Sequence, residues 1–595
     1  MMGILYKKAT GMLESNKIPI FLFFSSMFIF LSFAGTRLFI SDEAVILNQF
    51  YNLIHGSLSL ELGKFKVMEG GVYFISDDHI YSKFSFSLPI FSVPVYYFLK
   101  TIDLLYGAHL FLVQLWAMSG GIAAYLIARN RKSKQAELFG VFSYFILIAV
   151  NMYYFKPIYF PMWGELLSIE FTNILISSFL VLFVYLLFNN FFGNKIAMFA
   201  SFFVIFATPI SFYAVSLKHH VLTLLLTVLA FYFFYRYEEK KENKFMYFAF
   251  LLAGLCVWTR VLEGAVLLTS LLIADILLHR RSIKHIIYIF IIISISLIPF
   301  FSFNYLILGN PVSIMETAQS TFPSSDEPLT MNPGKDAIIL NYDPTDLKPD
   351  ILLGKLGYSY NQYSGIKSDW WNILLNITFL KIQNAFGIFL VSPFLIIAIA
   401  FIIDRIKKRI KLSPMDKFLG LYTILFIYSN LNYISMTITD TPDVIEYRYL
   451  LIMYIILLYF ALRIDKVKDL IESKLRTIVI LYGIILLLSI VYFVEEFPLP
   501  FMNIYYYAAL FTSLSLIVIV STNILMNKKP APALLNSMTI ILIALSLALA
   551  SMFLLFYYWV VSMTYTSPSQ NFTILPVLQN ILGWMYGSIM SSLSI

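Results

Sequence analysis

The sequence predicts an all-α, polytopic membrane bundle of about 15–16 helices. Two observations carry that reading. Of its 595 residues, 59% are hydrophobic and only 13% charged, against roughly 25% charged in an ordinary soluble domain. The mean hydropathy is +0.80, and the apolar residues fall in runs near the roughly 20 residues needed to cross about 30 Å of hydrocarbon. An aromatic share of 17% excludes a disordered or fibrous chain.

The apolar runs lie at about 18–40, 108–128, 136–155, 167–190, 196–213, 220–237, 245–259, 262–278, 286–308, 386–403, 417–435, 448–463, 477–494, 503–526 and 537–560. A weaker segment, 574–595, either spans or lies in the interface. The first run lacks a small-residue cleavage site behind it and reads as a retained helix, not a signal peptide. Pro89 and Pro94 interrupt segment 87–106, and Lys100 and Asp103 sit near its end. Placing it along the membrane surface makes alternate connections basic, so that one face collects 28 of the 42 Lys and Arg residues. The positive-inside rule makes that face cytoplasmic. Segment 87–106 is therefore expected as an interfacial helix, and the +8 net charge as loop anchoring without nucleic acid as a partner.

Two long polar segments, 41–107 and 309–385, then belong to the external side, the second able to form a lid or an acceptor-binding surface. The single cysteine, Cys256, excludes an intrachain disulfide and any cysteine-based metal cluster. No phosphate-cradling GxxxxGK[ST] loop or strand–GxGxxG–helix unit occurs, and none of the seven histidines forms an HExxH pair.

Chemistry-bearing residues gather in the external segments and at helix ends. Asp42 and Glu43 stand side by side where the first helix leaves the membrane. Carboxylates there face a functional cavity or cap and orient a helix, and the two roles are compatible. Lys83, in Asp77-Asp78-His79-Ile80-Tyr81-Ser82-Lys83, can grip a lipid phosphate or snorkel to the headgroups. Arg260 lies between two apolar runs and Arg448 opens another. Each either meets a phosphate or pairs with its neighbouring carboxylate, Glu263 or Glu446. Of His219 and His220, which follow Lys218, one belongs in the cavity and the other in the packing; His219 is assigned to the cavity. Together these parts fit sugar transfer from a lipid phosphate, with a carboxylate as general base and cations on the departing phosphate.

The motif order resembles a known family. An acidic pair follows the first helix, Tyr81-Ser82-Lys83-Phe84-Ser85-Phe86-Ser87-Leu88-Pro89 leads into segment 87–106, and TPISFYAVSLKHH ends at His220. GLCVWTR ends at Arg260, FNYLILGNP at Pro311, and EYRYLL surrounds Arg448. This is similar to the GT-C glycosyltransferases, in the branch of protein O-mannosyltransferases and bacterial aminoarabinose transferases, over roughly residues 18–465. The resemblance implies a GT-C-like catalytic module over 1–465 followed by C-terminal helices over 466–595. It implies a polyprenyl(dolichyl)-phosphate sugar donor, inverting displacement, and transfer on the non-cytoplasmic side of the plasma membrane. Asp42 is then the base with Glu43 beside it, and Glu165 the second carboxylate. Lys83 with Tyr81, Arg260, Arg448 and His219 are implied as the lipid-phosphate site. The sequence departs from the family pattern at Phe84–Ser87, where a Gly-Pro-rich turn is usual, and at Val261, where a proline often stands.

The acceptor can be a glycolipid, a lipid-linked glycan or a protein, in a membrane of cellular lipids. No cofactor is required by the motifs, although Asp42, Glu43, Asp77 and Asp78 are able to hold a divalent metal. A lipid-linked glycan ligase or polymerase, a lipid or solute flippase or transporter, and a non-catalytic relative are the alternatives. A transporter would carry charge near the bilayer centre and an internal repeat, which the sequence lacks.

Overall fold

A computed structural model describes residues 17–36, 38, 42–60, 62–65, 73–76, 79–131, 133–153, 157–279, 282–315, 332–338, 374, 378, 381–382, 385–437, 448–496, 499–526 and 533–562. Segment 574–595, Asp77 and Asp78 lie outside them, as do the side chains of Asp42 and Arg448.

The protein is a helical membrane bundle, and each of the fifteen apolar runs coincides with helix. In chain order the helices are α1 (Lys17–Phe33), α2 (Asp42–Ile54), α3 (Ser87–Leu105), α4 (Ala108–Asn130), α5 (Ala136–Tyr153), α6 (Phe160–Phe192) and α7 (Asn194–Phe206). They continue with α8 (Ile210–Tyr213), α9 (His220–Lys240), α10 (Asn243–Thr259), α11 (Val261–Leu278), α12 (Ile283–Ser296) and α13 (Ile298–Leu308). The last seven are α14 (Ile388–Val391), α15 (Ile397–Lys408), α16 (Pro414–Thr437), α17 (Leu451–Leu462), α18 (Asp465–Glu496), α19 (Leu499–Met526) and α20 (Ala533–Ser562). Among the described residues nine helices are long and apolar enough to span a membrane. Segment 87–106, expected in the interface, forms the single 19-residue helix α3 and meets that length and apolarity. The 286–308 run is broken, because α12 and α13 meet at a 41° bend. Pro299, in the first turn of α13, lacks the N–H that would carry the hydrogen-bond ladder across.

Small residues allow the helices to approach closely, as packing between membrane helices requires. A Cβ on Gly121 would stand 3.0 Å from the Gly140 carbonyl, and one on Gly140 would stand 3.1 Å from the Gly121 carbonyl, so α4 and α5 cross glycine on glycine. A Cβ on Gly264 would come within 2.1 Å of the Val257 backbone nitrogen, where α11 folds back on α10. At the far end of the chain, lysines close off the last turn of α19. Lys407 Nζ donates to the Ile524 and Leu525 carbonyls at 2.7 and 2.6 Å, and Lys466 donates to Asn523. Cations there complement the negative end of the helix dipole.

The sheet content is small. Strands β1 (Leu62–Phe65) and β4 (Asn332–Ile338) pair in parallel and join the two long polar segments. Strands β2 (Tyr73–Ser76) and β3 (His79–Ser82) form an antiparallel pair, as do β5 (Lys381–Ile382) and β6 (Ala385–Phe386).

The Gly264 contact is with backbone and cannot be relieved by a side-chain rotation. Gly264→Ala is expected to destabilise the detergent-solubilised protein by about 1–3 kcal/mol, the usual range for overpacking. Gly420→Ala in α16, where a Cβ meets nothing within 4 Å, is expected to be neutral or slightly stabilising. Thermal unfolding of the two variants side by side checks both.

Candidate active site

Four sequence-distant segments converge through polar contacts, most of them to backbone. Glu43, in the first turn of α2, is fully buried, and its carboxylate accepts the Leu217 backbone N–H at 2.9 Å. From α6, Asn173 Nδ2 donates to the Ser216 and Lys218 carbonyls at 2.6 and 2.9 Å. The turn ahead of α9 is thus held from two sides. The Tyr81–Ser87 stretch docks against the same place. Gln49 Nε2 donates to the Phe84 carbonyl at 2.9 Å, and the Lys218 ammonium lies 4.5 Å from the centre of the Phe84 ring. Ser85 Oγ donates to the Trp258 carbonyl at 2.6 Å, joining the stretch to the end of α10.

Arg260 sits where α10 ends and α11 begins. Its backbone is extended, with φ −150° and ψ 114°, and serves as the C-cap of one helix and the N-cap of the next. The side chain is buried and held on three sides. Its Nε is 2.6 Å from Glu263 Oε1, its Nη1 is 2.7 Å from His220 Nδ1, and the guanidinium lies 4.9 Å from the centre of the Tyr449 ring. The ion pair with Glu263 that the sequence allows is therefore formed, one turn along α11. Arginine has no acceptor, so His220 Nδ1 accepts and the imidazole is neutral with its proton on Nε2. Arg260, Glu263, His220, Thr223, Tyr422 and Tyr449 are among the residues that line a small, partly open pocket.

The remaining sequence-predicted residues take varied places. His219, assigned to the cavity, stacks on His220 at 5.7 Å and lies tilted against Phe84 at 6.2 Å, while it is His220 that lines the pocket. Lys83 is partly buried just before α3, and burial lowers its pKa from the usual lysine value. Tyr81 stacks on Phe74 across the β2–β3 pair, within a small apolar cluster that includes Phe86 and Ile307. Asp42 begins α2 and Arg448 begins the short 3-10 helix Arg448–Leu450, immediately before the Tyr449 ring that lies by Arg260. Among the described residues no group of three or more His, Cys, Asp or Glu is arranged to hold a metal ion.

Glu165 is buried in the first turns of α6 and bound to Lys64 of β1 at 2.6 Å; the same ammonium donates to the Pro161 carbonyl at 2.9 Å. Lys64 and Glu170 escape sequence reasoning. Glu170, equally buried on α6, accepts the Gly35 backbone N–H with both oxygens at 3.1 Å, and so steadies the chain ahead of Asp42. A glutamate in the middle of an apolar run is itself a signal, but its partner is 135 residues away.

A buried arginine, carboxylates and histidines gather at helix ends in an apolar bundle. Residues 164–305, which contain Glu165, Lys218, His219, His220 and Arg260, match the family model described as dolichyl-phosphate-mannose-protein mannosyltransferase. The match covers about a quarter of the chain, and the chain as a whole is a multi-pass helical membrane protein. Among solved structures, that of ArnT from Cupriavidus metallidurans bound to undecaprenyl phosphate is 13% identical, with a TM-score of 0.41 over 94% of this chain and 79% of that one. The same protein in the apo state aligns over 71% of this chain and 67% of its own, at 13% identity and a TM-score of 0.32. No curated protein matches the chain in sequence.

Removing one partner of the Lys64–Glu165 pair leaves the other charge buried, which typically costs about 3–5 kcal/mol. Lys64→Ala is expected to lower the melting temperature clearly. Lys64→Ala/Glu165→Ala is expected to melt above the sum of the two single losses, as thermal unfolding of the three variants will read out.

Proposed function

We propose that the protein transfers a sugar from a polyprenyl-phosphate-linked donor to an acceptor hydroxyl on the non-cytoplasmic face of the plasma membrane. The acceptor belongs to a glycolipid, a lipid-linked glycan or a protein. The observation that carries the reading is the convergence of the Asp42–Glu43, Tyr81–Ser87, Lys218–His220 and Arg260 segments on one another. The family match over residues 164–305 supports it.

In this reading Asp42 takes the proton from the acceptor hydroxyl as its oxygen attacks the anomeric carbon. The new glycosidic C–O bond forms as the bond from that carbon to the phosphate oxygen breaks, with inversion. The electron pair leaves on the polyprenyl phosphate, whose charge is met by Lys83, Arg260 and Arg448. His219 and Tyr81 flank this phosphate site. Glu43 enters as a positioning group, since its carboxylate is committed to the Leu217 N–H. Glu165, committed to Lys64, fixes β1 at the edge of the site. The substitution of a carboxylate by an amide at the base separates chemistry from binding.

Asp42→Asn is expected to lower kcat by about 10²–10⁴-fold, the usual contribution of a general base, with donor binding retained. A transfer assay in lipid with a panel of labelled polyprenyl-phosphate sugars checks it, and full activity of the variant would sink the assignment. For Lys83 the expectation concerns pH. Its pKa is lowered, so the ammonium is lost on raising pH sooner than at the usual value of about 10.4. Donor KM should rise on the alkaline side, and Lys83→Arg, which stays protonated, should flatten that limb.

A further inference from the structure

Among the described residues, the arginine at the α10–α11 break is held by the charged Glu263 and the neutral His220, and the neutral partner is the less expected. Glu263 suffices to balance the charge of Arg260. His220 adds no charge, and in accepting from Nη1 at 2.7 Å it gives up its own Nδ1 as a ligand for anything else. Its ring is fixed in turn by packing: Tyr213 edge-on at 5.2 Å, His219 stacked at 5.7 Å and Tyr449 edge-on at 6.0 Å. Tyr449 thus contacts both members, with its ring beside the guanidinium and roughly perpendicular to the imidazole. A flexible side chain at a helix break is thereby confined to one orientation at the pocket wall.

We propose that His220 is a positioning residue for Arg260, fixing the guanidinium as a preorganised phosphate clamp for the donor. The inference rests on Arg260 meeting the donor phosphate, as proposed above. An arginine whose rotamer is set before binding loses less freedom when it engages a phosphate. The effect therefore belongs to donor affinity more than to the chemical step, and it exists only while Arg260 is present.

Donor KM and kcat are measured for the full-length protein in lipid, in wild-type and Arg260→Ala backgrounds. His220→Leu keeps the bulk and removes the acceptor. His220→Asn puts an amide oxygen near the position of Nδ1. His220→Gln, which displaces the amide from that position, replaces the leucine variant should the latter not accumulate. Expected is a rise of about tenfold in donor KM for His220→Leu, the scale of one lost charged hydrogen bond, with kcat changed less. His220→Asn should return KM to within about threefold of wild type, and His220→Leu should add nothing in the Arg260→Ala background. An unchanged KM in His220→Leu, or the same rise with Arg260 absent, overturns the inference while leaving the phosphate role of Arg260 intact. A donor KM untouched by Arg260→Ala itself overturns that role and the inference with it.

Discussion

Arg260 is the charge around which this bundle has to be built. A guanidinium cannot give up its proton to escape an apolar setting, so it must be partnered where it stands. Here the partners come from three directions: Glu263 one turn along α11, His220 at the head of α9, and the ring of Tyr449 ahead of α17. Meeting that demand draws the ends of α9, α10, α11 and α17 together. The extended backbone at Arg260 lets α10 reverse into α11 within a single residue, and Gly264 makes the tight return possible. One desolvated cation thus sets both a helix break and a helix crossing.

The same constraint accounts for the other buried polar groups. Backbone N–H and carbonyl groups at helix ends lose their helical partners just where the chain is still surrounded by apolar side chains. Carboxylates and amides from neighbouring helices supply the missing partners: Glu43 for Leu217, Glu170 for Gly35 and Asn173 for Ser216 and Lys218. The irregular segments around the candidate site are consequently anchored by their backbone.

The fold was legible because membrane length and apolarity are properties of contiguous residues, and fifteen runs translate directly into helix. Segment 87–106 was harder: two prolines suggested an interruption, yet Pro89 falls in the first helical turn and Pro94 is absorbed inside a continuous helix. At the site, Arg260 was legible as a cation between two apolar runs, and Glu263 as its neighbour on a helix. His220 against His219 was not decidable, because adjacent residues at a helix start differ only in rotation, and that rotation is set by Tyr213 and Tyr449. Lys64, Glu170 and Asn173 act over separations of 43 to 135 residues, which no local period encodes. Tyr81 is legible as part of a phosphate motif by its place near Lys83, but its ring contact with Phe74 across the strand pair is not.

The parallel pairing of β1 with β4 bears on how the molecule is assembled. Parallel neighbours cannot be connected by a tight hairpin, and here the connection runs through every helix from α3 to α13. Leu62 therefore meets Asn332 only after all of that chain has been made and inserted, so the pairing closes late, against a long loop whose entropy has already been restricted by the bilayer. Until then the β1 edge is an open template during biogenesis, and its capture by β4 ties the two long polar segments together at this strand pair.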